Sequence, residues 1–396
     1  NPIPGLQNGQ VVTLKKLMQH VVRDEVIDIL PDRFNKTYFH WIDNLRDWNI
    51  SRQIWFGHQV PVWYRGNEMH VGVEAPEGDG WTQDEDTLDT WFSSGLWTFS
   101  TLGWPDEQAA DLKTYHPTTV LETGYDILFF WVARMILMTT YHLGEIPFET
   151  VYLHGLVRDE KGRKMSKSLD NIINPLDMID QYGADATRLS LLIGSTPGND
   201  QKLSIDKVAS FRNFTNKLWN IARFVLSSVD NIEVIEDVEP QTAADHWILE
   251  RFTQVEKEVT QHFEKYELSI LGEKLRAFTW GDFADWYLEV AKVQKSENTD
   301  KMLLFILERL LRLWHPFMPF VTEEIYKQFD AGMMIVAPWP KIDVKYSAKQ
   351  SELFESTKEV IGALRNLRAN YRIAPKTLMN ATIVSGKQLE AMSSLI

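Results

Sequence analysis

Residues 158–171 read RDEKGRKMSKSLDN, and this segment carries the densest chemistry in the sequence. Five cations lie within ten residues around one glycine: Arg158, Lys161, Arg163, Lys164 and Lys167. Ammonium and guanidinium groups neutralise charge on phosphate oxygens, and the hydroxyls of Ser166 and Ser168 can donate hydrogen bonds to them. The segment therefore suits a loop that closes over a polyphosphate. The alternative is a solvated basic turn, which the composition alone favours.

The spacing of apolar residues along the chain changes near residue 205. Before that point, short apolar runs such as VYLHGLV (residues 151–157) alternate with Gly, Pro and Asp turns, which is typical of α/β folds. Two helices are predicted there: an almost uniformly apolar one over residues 125–138, and one that begins at Pro175 after an Asn174 cap. After Ser204, apolar residues recur at steps of three and four, which predicts a helical bundle. The predicted fold class is α/β followed by all-α.

Composition limits the classes of function. With 41 Lys+Arg against 55 Asp+Glu the formal net charge is −14, so a nucleic acid has to bind at a local basic patch. The sequence has no cysteine, which excludes disulfides, thiolate metal sites and a cysteine nucleophile, and we expect neither zinc nor another protein-held metal. It shows no secretory leader and no apolar run of about 18 residues, so we expect a cytoplasmic protein without membrane contact.

The pentapeptide KMSKS at residues 164–168 is the signature loop of class I aminoacyl-tRNA synthetases. Four further strings follow the order of that family: RDWNISRQIWFGHQVPVWY (46–64), DEDTLDTWFSSGLWTFSTLGWP (84–105), ETGYDILFFWVARM (122–135) and RNFTNKLWN (212–220). Together they resemble the valyl-tRNA synthetase family. The resemblance implies the C-terminal half of a class I Rossmann-type catalytic domain, followed by a helical-bundle anticodon-binding domain. It also implies ligation of L-valine to tRNA-Val with ATP and Mg²⁺.

The resemblance assigns roles to residues of three motifs. Lys164 and Lys167, supported by Ser166, are implied to be catalytic: they bind the ATP phosphates and stabilise the pyrophosphate leaving group. The residues implied to bind ATP, besides Lys167, are His154, Gly155, Leu156 and Asp126. The residues implied to line a valine pocket are Trp91, Ile127 and Trp131. Such a pocket removes a small branched side chain from water. Without the motifs, plain core packing is the favoured interpretation of both tryptophans.

An RNA-facing surface is predicted from spacing on the first helix of the bundle. Its apolar stripe comprises Val208, Phe211, Phe214, Leu218, Ile221 and Val225. Another face carries Arg212, Asn216, Trp219 and Arg223, with Lys217 adjoining it. An indole between two guanidiniums is a platform for an unpaired base and its phosphates. The alternative is a solvated helix face with one buried tryptophan. The resemblance of RNFTNKLWN to the start of the family's anticodon-binding domain favours tRNA binding.

The motifs divide the chain into four predicted segments. They are a connector over 1–45, the catalytic half-domain over 46–203, the anticodon-binding domain over 204–340 and a small carboxy-terminal extension over 341–396. Neither a HIGH motif nor a long editing insertion occurs in the sequence. We therefore expect this chain to be inactive alone and a separate chain to supply the HIGH half. Two hypotheses remain: a truncated or split valine-tRNA ligase, and a non-catalytic tRNA-binding protein derived from one.

Overall fold

A computed structural model describes residues 11–374 and 381–384, together with Ile3, Thr377, Met392 and Leu395. The chain forms two compact units. The amino-terminal unit comprises Asn1–Leu156 and Thr196–Asp200, and the carboxy-terminal unit comprises Val157–Ser195 and Gln201–Ile396. Parts of the predicted segments 1–45 and 341–396 lie outside the described residues. Over the part of the chain that is described, no helix is long and apolar enough to cross a membrane.

The amino-terminal unit mixes short strands and helices. Its helices are α1 (Leu14–Arg23), α2 (Arg33–Asp43), α3 (Thr90–Ser94), α4 (Trp97–Ser100), α5 (Ala110–Tyr115) and α6 (Arg134–His142). Its strands are β1 (Asp28–Leu30), β2 (Ser51–Arg52), β3 (Val62–Arg65), β4 (Glu68–Val71), β5 (Thr82–Gln83), β6 (Thr87–Leu88), β7 (Thr118–Gly124) and β8 (Phe148–His154).

A parallel sheet in the order β1-β8-β7 organises this unit. Val151 of β8 lies opposite Ile29 of β1 and Leu121 of β7. Parallel strands are usually covered on both faces, and Val151 and Leu153 are fully buried. Two antiparallel ladders, β2–β6 and β4–β3–β5, complete the strand pairing.

The apolar segment after β7 is helical, but it is not one regular α-helix. It consists of a 3-10 turn (Tyr125–Ile127), a π-helical stretch (Leu128–Ala133) and α6. Most of its apolar side chains are buried, as predicted: Leu128, Val132, Ala133, Met135 and Ile136. Phe130 is an exception, at 44% exposed. The π-helical stretch contains three consecutive aromatic residues, Phe129, Phe130 and Trp131, and π-helical turns are frequent at functional sites.

The carboxy-terminal unit is almost entirely helical. Its elements are β9 (Val157–Arg158), α7 (Pro175–Tyr182), α8 (Ala184–Leu192), β10 (Gln201–Lys202), α9 (Ile205–Ser228), α10 (Ala243–Glu264), α11 (Leu268–Ala277), a π-helical stretch (Phe278–Tyr287), α12 (Leu288–Val293), α13 (Glu297–Trp314), α14 (Pro319–Tyr326) and α15 (Ala348–Asn370). Short 3-10 turns occur at Lys167–Leu169, Lys327–Phe329 and Met334–Val336. β9 and β10 pair in parallel.

Two predicted helix starts in this unit are confirmed. Pro175 is the first residue of α7, and Asn174 Oδ1 accepts a hydrogen bond from Leu176 N at 3.1 Å. Gly183, with φ 90°, ends this helix, because a glycine adopts a positive φ without steric cost. α9 begins directly after Ser204, whose hydroxyl caps it.

The bundle core is large and aromatic. The predicted apolar stripe of α9 is buried over its full length: Val208, Phe211, Phe214, Leu218, Ile221 and Val225. Phe214 packs against Trp314 of α13 with ring centroids 5.1 Å apart. The indole of Trp314 is fully buried, and its Nε1 donates to Thr279 Oγ1 at 2.9 Å. A buried indole usually needs such a partner, and Trp314 has one in Thr279.

The packing separates the units at a different place from the predicted boundary at 203/204. The segment that carries KMSKS belongs to the helical unit, because α8 packs on α9 and buries Ala186 and Leu189 in the bundle core. The carboxylate of Asp185 also accepts a hydrogen bond from Val321 N at 2.7 Å, at the start of α14. The change of compact unit therefore falls after Leu156.

The helix that follows residue 341 also packs on the bundle. α15 lies against α10, where the Phe354 and Trp247 ring centroids are 4.9 Å apart. Trp247 and Phe354 are both fully buried. These contacts join the described part of the predicted extension to the helical core.

Candidate functional site

The KMSKS segment forms a tight loop in the carboxy-terminal unit. Gly162 turns the chain with φ 79°, and Lys164 then bridges to Arg158 of β9 in antiparallel pairing. The 3-10 turn Lys167–Leu169 follows and ends at Asp170, which has the left-handed φ of 48°. The backbone of the loop is therefore held at both of its ends.

Lys164 and Lys167 both present their side chains to solvent. Neither ammonium has an ion-pair partner among the residues that the structure describes, whereas Arg163 pairs with Asp159 at 2.8 Å. Ser166 lies between the two lysines and is partly buried. Two unpaired ammoniums on one short loop are suited to an anionic ligand with several oxygens.

A polar brace at the base of this loop fixes its shape. Asp159 accepts hydrogen bonds from Arg163 N at 2.7 Å, Arg163 Nε at 2.8 Å and Asn171 Nδ2 at 2.9 Å. Asn171 also donates to Lys164 O at 3.2 Å and accepts from Ser166 N at 2.9 Å. The sequence analysis missed both bracing residues. The available signal was an acid and an amide at the two ends of a basic segment.

The brace carries a fixed negative charge. The hydrogen bond from Asn171 and those from Arg163 hold the pKa of Asp159 well below its usual range, while burial acts in the opposite direction. Asp159 therefore stays ionised at neutral pH. Its charge engages Arg163 and leaves the ammoniums of the two lysines free of it.

The end of β8, in the amino-terminal unit, carries the predicted adenosine-binding tripeptide. His154 is exposed, with Nδ1 2.8 Å from Gly155 O and Nε2 3.4 Å from Glu122 Oε1. Asp126 lies close by, because a Cβ built on Gly124 would meet Asp126 Oδ1 at 2.5 Å and His154 Cε1 at 3.4 Å. The structure thus brings two of the predicted ATP residues, His154 and Asp126, to the same strand ends.

Two residues of the turn at 196–200 complete this edge. A Cβ on Gly155 would lie 1.8 Å from Asn199 O, so only a glycine permits the two backbones to approach this closely. Asp200 Oδ1 accepts from Leu156 N at 2.8 Å and from Tyr125 OH at 3.1 Å. The carboxyl ends of parallel strands are the usual place for ligands in α/β folds. The sequence analysis did not identify the role of this turn in shaping the edge.

The predicted valine pocket lies in the same unit. Trp91, Ile127 and Trp131 are each half-buried. Trp131 Nε1 donates to Ser94 O at 3.0 Å, which links the π-helical stretch to the helix that carries Trp91. Trp91 itself stacks on Phe130, with ring centroids 5.8 Å apart. The two tryptophans are thus linked through neighbouring residues, Phe130 and Ser94, and Ile127 lies four residues before Trp131.

The predicted RNA-facing side of α9 is open to solvent. All four of its residues are exposed: Arg212, Asn216, Trp219 and Arg223. Trp219 is 44% exposed, so this face does not contain a buried tryptophan. Lys217 is placed differently, because its ammonium lies 3.4 Å from Asp285 Oδ1 and 5.1 Å from the ring centre of Trp280. Its charge is already partly engaged.

Two family profiles match the chain. The profile of the class I tRNA synthetases (I, L, M and V) matches residues 8–78 and 74–204, and that of the anticodon-binding domain of tRNA ligases matches residues 245–383. Among solved structures, a LeuRS of Agrobacterium radiobacter in ternary complex has a TM-score of 0.64 at 20% identity, covering 76% of this chain and 43% of that one. A Mycobacterium tuberculosis methionyl-tRNA synthetase with methionyl-adenylate has a TM-score of 0.61 at 21% identity, covering 79% and 60%. These likenesses show the fold.

Relatives found by sequence have a higher identity to this chain than these two solved structures have. A valine-tRNA ligase of Streptococcus agalactiae is 44% identical over 411 aligned residues, which cover 98% of this chain and 46% of the relative. One of Streptococcus pyogenes is 47% identical over 380 residues, covering 91% and 43%. The chain thus spans about half the length of the curated relatives it matches. It belongs to the class I tRNA synthetases, in the valine-tRNA ligase family, with the second half of the catalytic fold joined to the anticodon-binding domain.

Proposed function

We propose that these residues are part of a valine-tRNA ligase. In the first step a carboxylate oxygen of L-valine attacks the α-phosphorus of ATP, which gives valyl-adenylate and pyrophosphate. In the second step a hydroxyl at the 3′ end of tRNA-Val attacks the valyl carbonyl carbon, which gives valyl-tRNA and AMP. The observation that carries the proposal is the braced KMSKS loop, whose two lysines have no ion-pair partner in the part of the chain that the structure describes.

Lys164 and Lys167 act on the leaving group. Negative charge grows on the pyrophosphate oxygens as the bond to the α-phosphorus breaks, and two positioned ammoniums neutralise it without reorganisation. Asn171 supports this task by holding Ser166 N and Lys164 O, on either side of Met165. Removal of one such donor typically costs about 10²–10³ in rate.

The strand ends and the indole pair bind the rest of the two small substrates. Backbone groups of residues 154–156 hold the adenine, and Asp126 lies beside the ribose and the ammonium of valine. Trp91, Ile127 and Trp131 take the isopropyl group out of water. The two indoles are large, and each is already half-buried, so little further surface needs to be desolvated.

The exposed face of α9 contacts the anticodon region of tRNA-Val. Arg212 and Arg223 pair with phosphates, and Trp219 stacks on an unpaired base. The acidic balance of the chain, −14, means that these local cations have to overcome a repulsive field. Binding of tRNA is therefore expected to weaken steeply with salt.

Three further parts of the sequence prediction belong to this proposal. Mg²⁺ reaches the site with ATP, held by phosphate oxygens and water, as is usual for this ion. The histidines of a HIGH motif come from residues outside these 396, either in the same protein or in a separate chain. Aminoacylation supplies the ribosome, so the proposed location is the cytoplasm.

A chimera tests the function. This chain replaces the matching 46% of the Streptococcus agalactiae relative, and valine-dependent ATP–pyrophosphate exchange is measured for the chimera and for the 396-residue chain alone. We expect exchange by the chimera, its loss in Lys167→Ala, and no exchange by the chain alone. A folded chimera that binds tRNA-Val without exchange would instead support the non-catalytic tRNA-binding alternative.

A further inference from the structure

The helix that carries Trp91 is only lightly anchored by apolar contacts: Trp91 stacks on Phe130, and Phe92 is partly buried near Trp48. α3 (Thr90–Ser94) is five residues long, and none of its side chains is buried. So short a helix is not stable by itself in water, and its position depends on what holds its two ends. Both ends are held by polar groups of the amino-terminal unit.

Asp89 holds the first end. Its side chain is only 9% exposed, and its Oδ1 accepts from Trp91 N at 2.8 Å. The backbone of Asp89 is fixed as well, because its N donates to Ile50 O at 2.6 Å. Arg52 forms an ion pair with Oδ2, and Arg134 Nη1 lies 3.7 Å from Oδ1. One buried carboxylate thus joins the start of α3 to two guanidiniums.

The two guanidiniums are themselves held. Arg52 Nη1 donates to Asn49 O at 2.8 Å and to Ser51 O at 2.7 Å. The guanidinium carbon of Arg134 lies 3.6 Å from the ring centre of Trp48, and its side chain is 12% exposed. Both arginines thus have contacts other than Asp89, which oppose their displacement if the helix shifts.

The other end of α3 is tied to the second indole. Trp131 Nε1 donates to Ser94 O, the last residue of the helix, at 3.0 Å. Arg134 follows Trp131 by three residues and begins α6. The segment with Trp91 and the segment with Trp131 are therefore joined twice, through Asp89 and Arg134 at one end and through Ser94 and Trp131 at the other.

We propose that Asp89, Arg52 and Arg134 are positioning residues that set the distance between the Trp91 and Trp131 walls, and through it the selectivity of the pocket for aliphatic side chains of valine's size. This inference rests on the proposed function, because it takes the two indoles as the pocket walls. One methylene in an apolar pocket is worth about 10–200-fold in discrimination, so a small displacement of one wall is measurable.

The position of the wall is tested directly, without any activity. The chain is labelled with 5-fluorotryptophan, and the Trp91 fluorine resonance is assigned with Trp91→Phe. In Asp89→Ala we expect this resonance to move, while those of Trp247 and Trp314 in the other unit stay. Asp89→Asn keeps an oxygen for the cap and loses the ion pairs, so we expect it to fold and to give a smaller shift.

A matched control is Asp111→Asn, the same change at an exposed residue in the first turn of α5. It should leave the Trp91 resonance unchanged. If both Asp89 variants also leave that resonance unchanged, the proposal is wrong, whatever the activity of the enzyme.

Selectivity is tested in the form of the enzyme that supports exchange. Asp89→Asn is expected to raise KM for valine about tenfold with kcat within about twofold, and to lower the preference for valine over isoleucine. The preference for valine over threonine should stay, because those side chains have the same shape. Arg134→Lys keeps a cation and should show a smaller change than Arg134→Gln. Absence of exchange in the chimera without further substitutions would contradict the proposed function. The fluorine spectra would still test whether Asp89, Arg52 and Arg134 position Trp91. A fall in kcat without a rise in KM would contradict the positioning role.

Discussion

The two units hold their candidate binding residues in opposite ways. In the amino-terminal unit, Trp91 lies on a five-residue helix that has no buried side chain and is fixed by Asp89 and by the indole of Trp131. In the carboxy-terminal unit, Trp219 lies on the 24-residue α9, whose opposite stripe is buried. Trp91 is placed by a few directional contacts and by stacking on Phe130, whereas Trp219 is placed by the core behind its helix. Loss of a single polar contact should therefore move the first and leave the second where it is.

Removal of a core side chain behind α9 is expected to have the largest effect on stability. Phe214 is fully buried against Trp314, and Phe214→Ala should lower the free energy of unfolding by about 3–5 kcal/mol. Asn213→Ala, at the exposed neighbour on the same helix, should change it by less than about 0.5 kcal/mol. Urea unfolding measures both. Equal losses would contradict the view that a buried stripe holds α9.

Loss of the loop brace should act locally rather than globally. Asn171→Ala removes three hydrogen bonds, each of about 0.5–1.5 kcal/mol, so we expect trypsin to cleave after Lys164 or Lys167 at least about tenfold faster. The urea midpoint of the bundle should hardly move. Ser168→Ala, which removes only a contact to the Ser166 hydroxyl, is the matched control. Unchanged cleavage in Asn171→Ala would show that the backbone holds the loop without the brace.

The cations on the α9 face should contribute unequally to the salt dependence of tRNA binding, because one of them already has an acidic partner. Arg223→Ala should reduce the salt dependence of tRNA binding by about one unit of slope, since one phosphate contact is lost. Lys217→Ala should reduce it by less, because Asp285 already engages that ammonium. Filter binding across a range of salt concentrations gives both slopes. A larger change for Lys217 than for Arg223 would place the RNA on the neighbouring face.

A small pH effect is expected in the amino-terminal unit. Burial lowers the pKa of His116, and the carboxylate of Glu145, 3.4 Å away, partly offsets this. The unfolded chain, with an ordinary histidine pKa of about 6.5, then binds the proton more readily than the folded one. Stability should therefore fall as the pH drops below about 6.5. Thermal unfolding between pH 7.5 and pH 5 should show a shallower decline in His116→Gln than in the wild type.

The helical unit could be predicted from the sequence because its determinants are local. The α9 stripe follows helical spacing, and Asn174, Pro175 and Gly183 are adjacent signals that bound α7. The KMSKS motif was equally visible as a short string. The packing of the segment after the loop was harder to predict, since Asp185 reaches the start of α14 across more than a hundred residues of sequence.

The amino-terminal site was predicted only in part. Trp91 and Trp131 lie in recognisable motifs, but the residues that hold the Trp91 helix are not all near it in sequence. Arg52 and Asp89 are brought together by the pairing of β2 with β6. The π-helical stretch was not predicted either, because a run of apolar residues has the same pattern in α- and π-helices. The spacing of apolar residues predicts which face of an element is buried, but it does not predict polar contacts between elements.

The close approach at Gly155 limits how this protein can vary. Any other residue there would drive a side chain into the Asn199 carbonyl and displace the turn whose Asp200 holds Leu156 and Tyr125. Gly281, by contrast, has open space where a Cβ would point and no unusual backbone angle. In a library of all single substitutions, codon 155 should tolerate glycine alone, while codon 281 should accept many residues. Two positions with the same amino acid would then differ sharply in the substitutions that they accept.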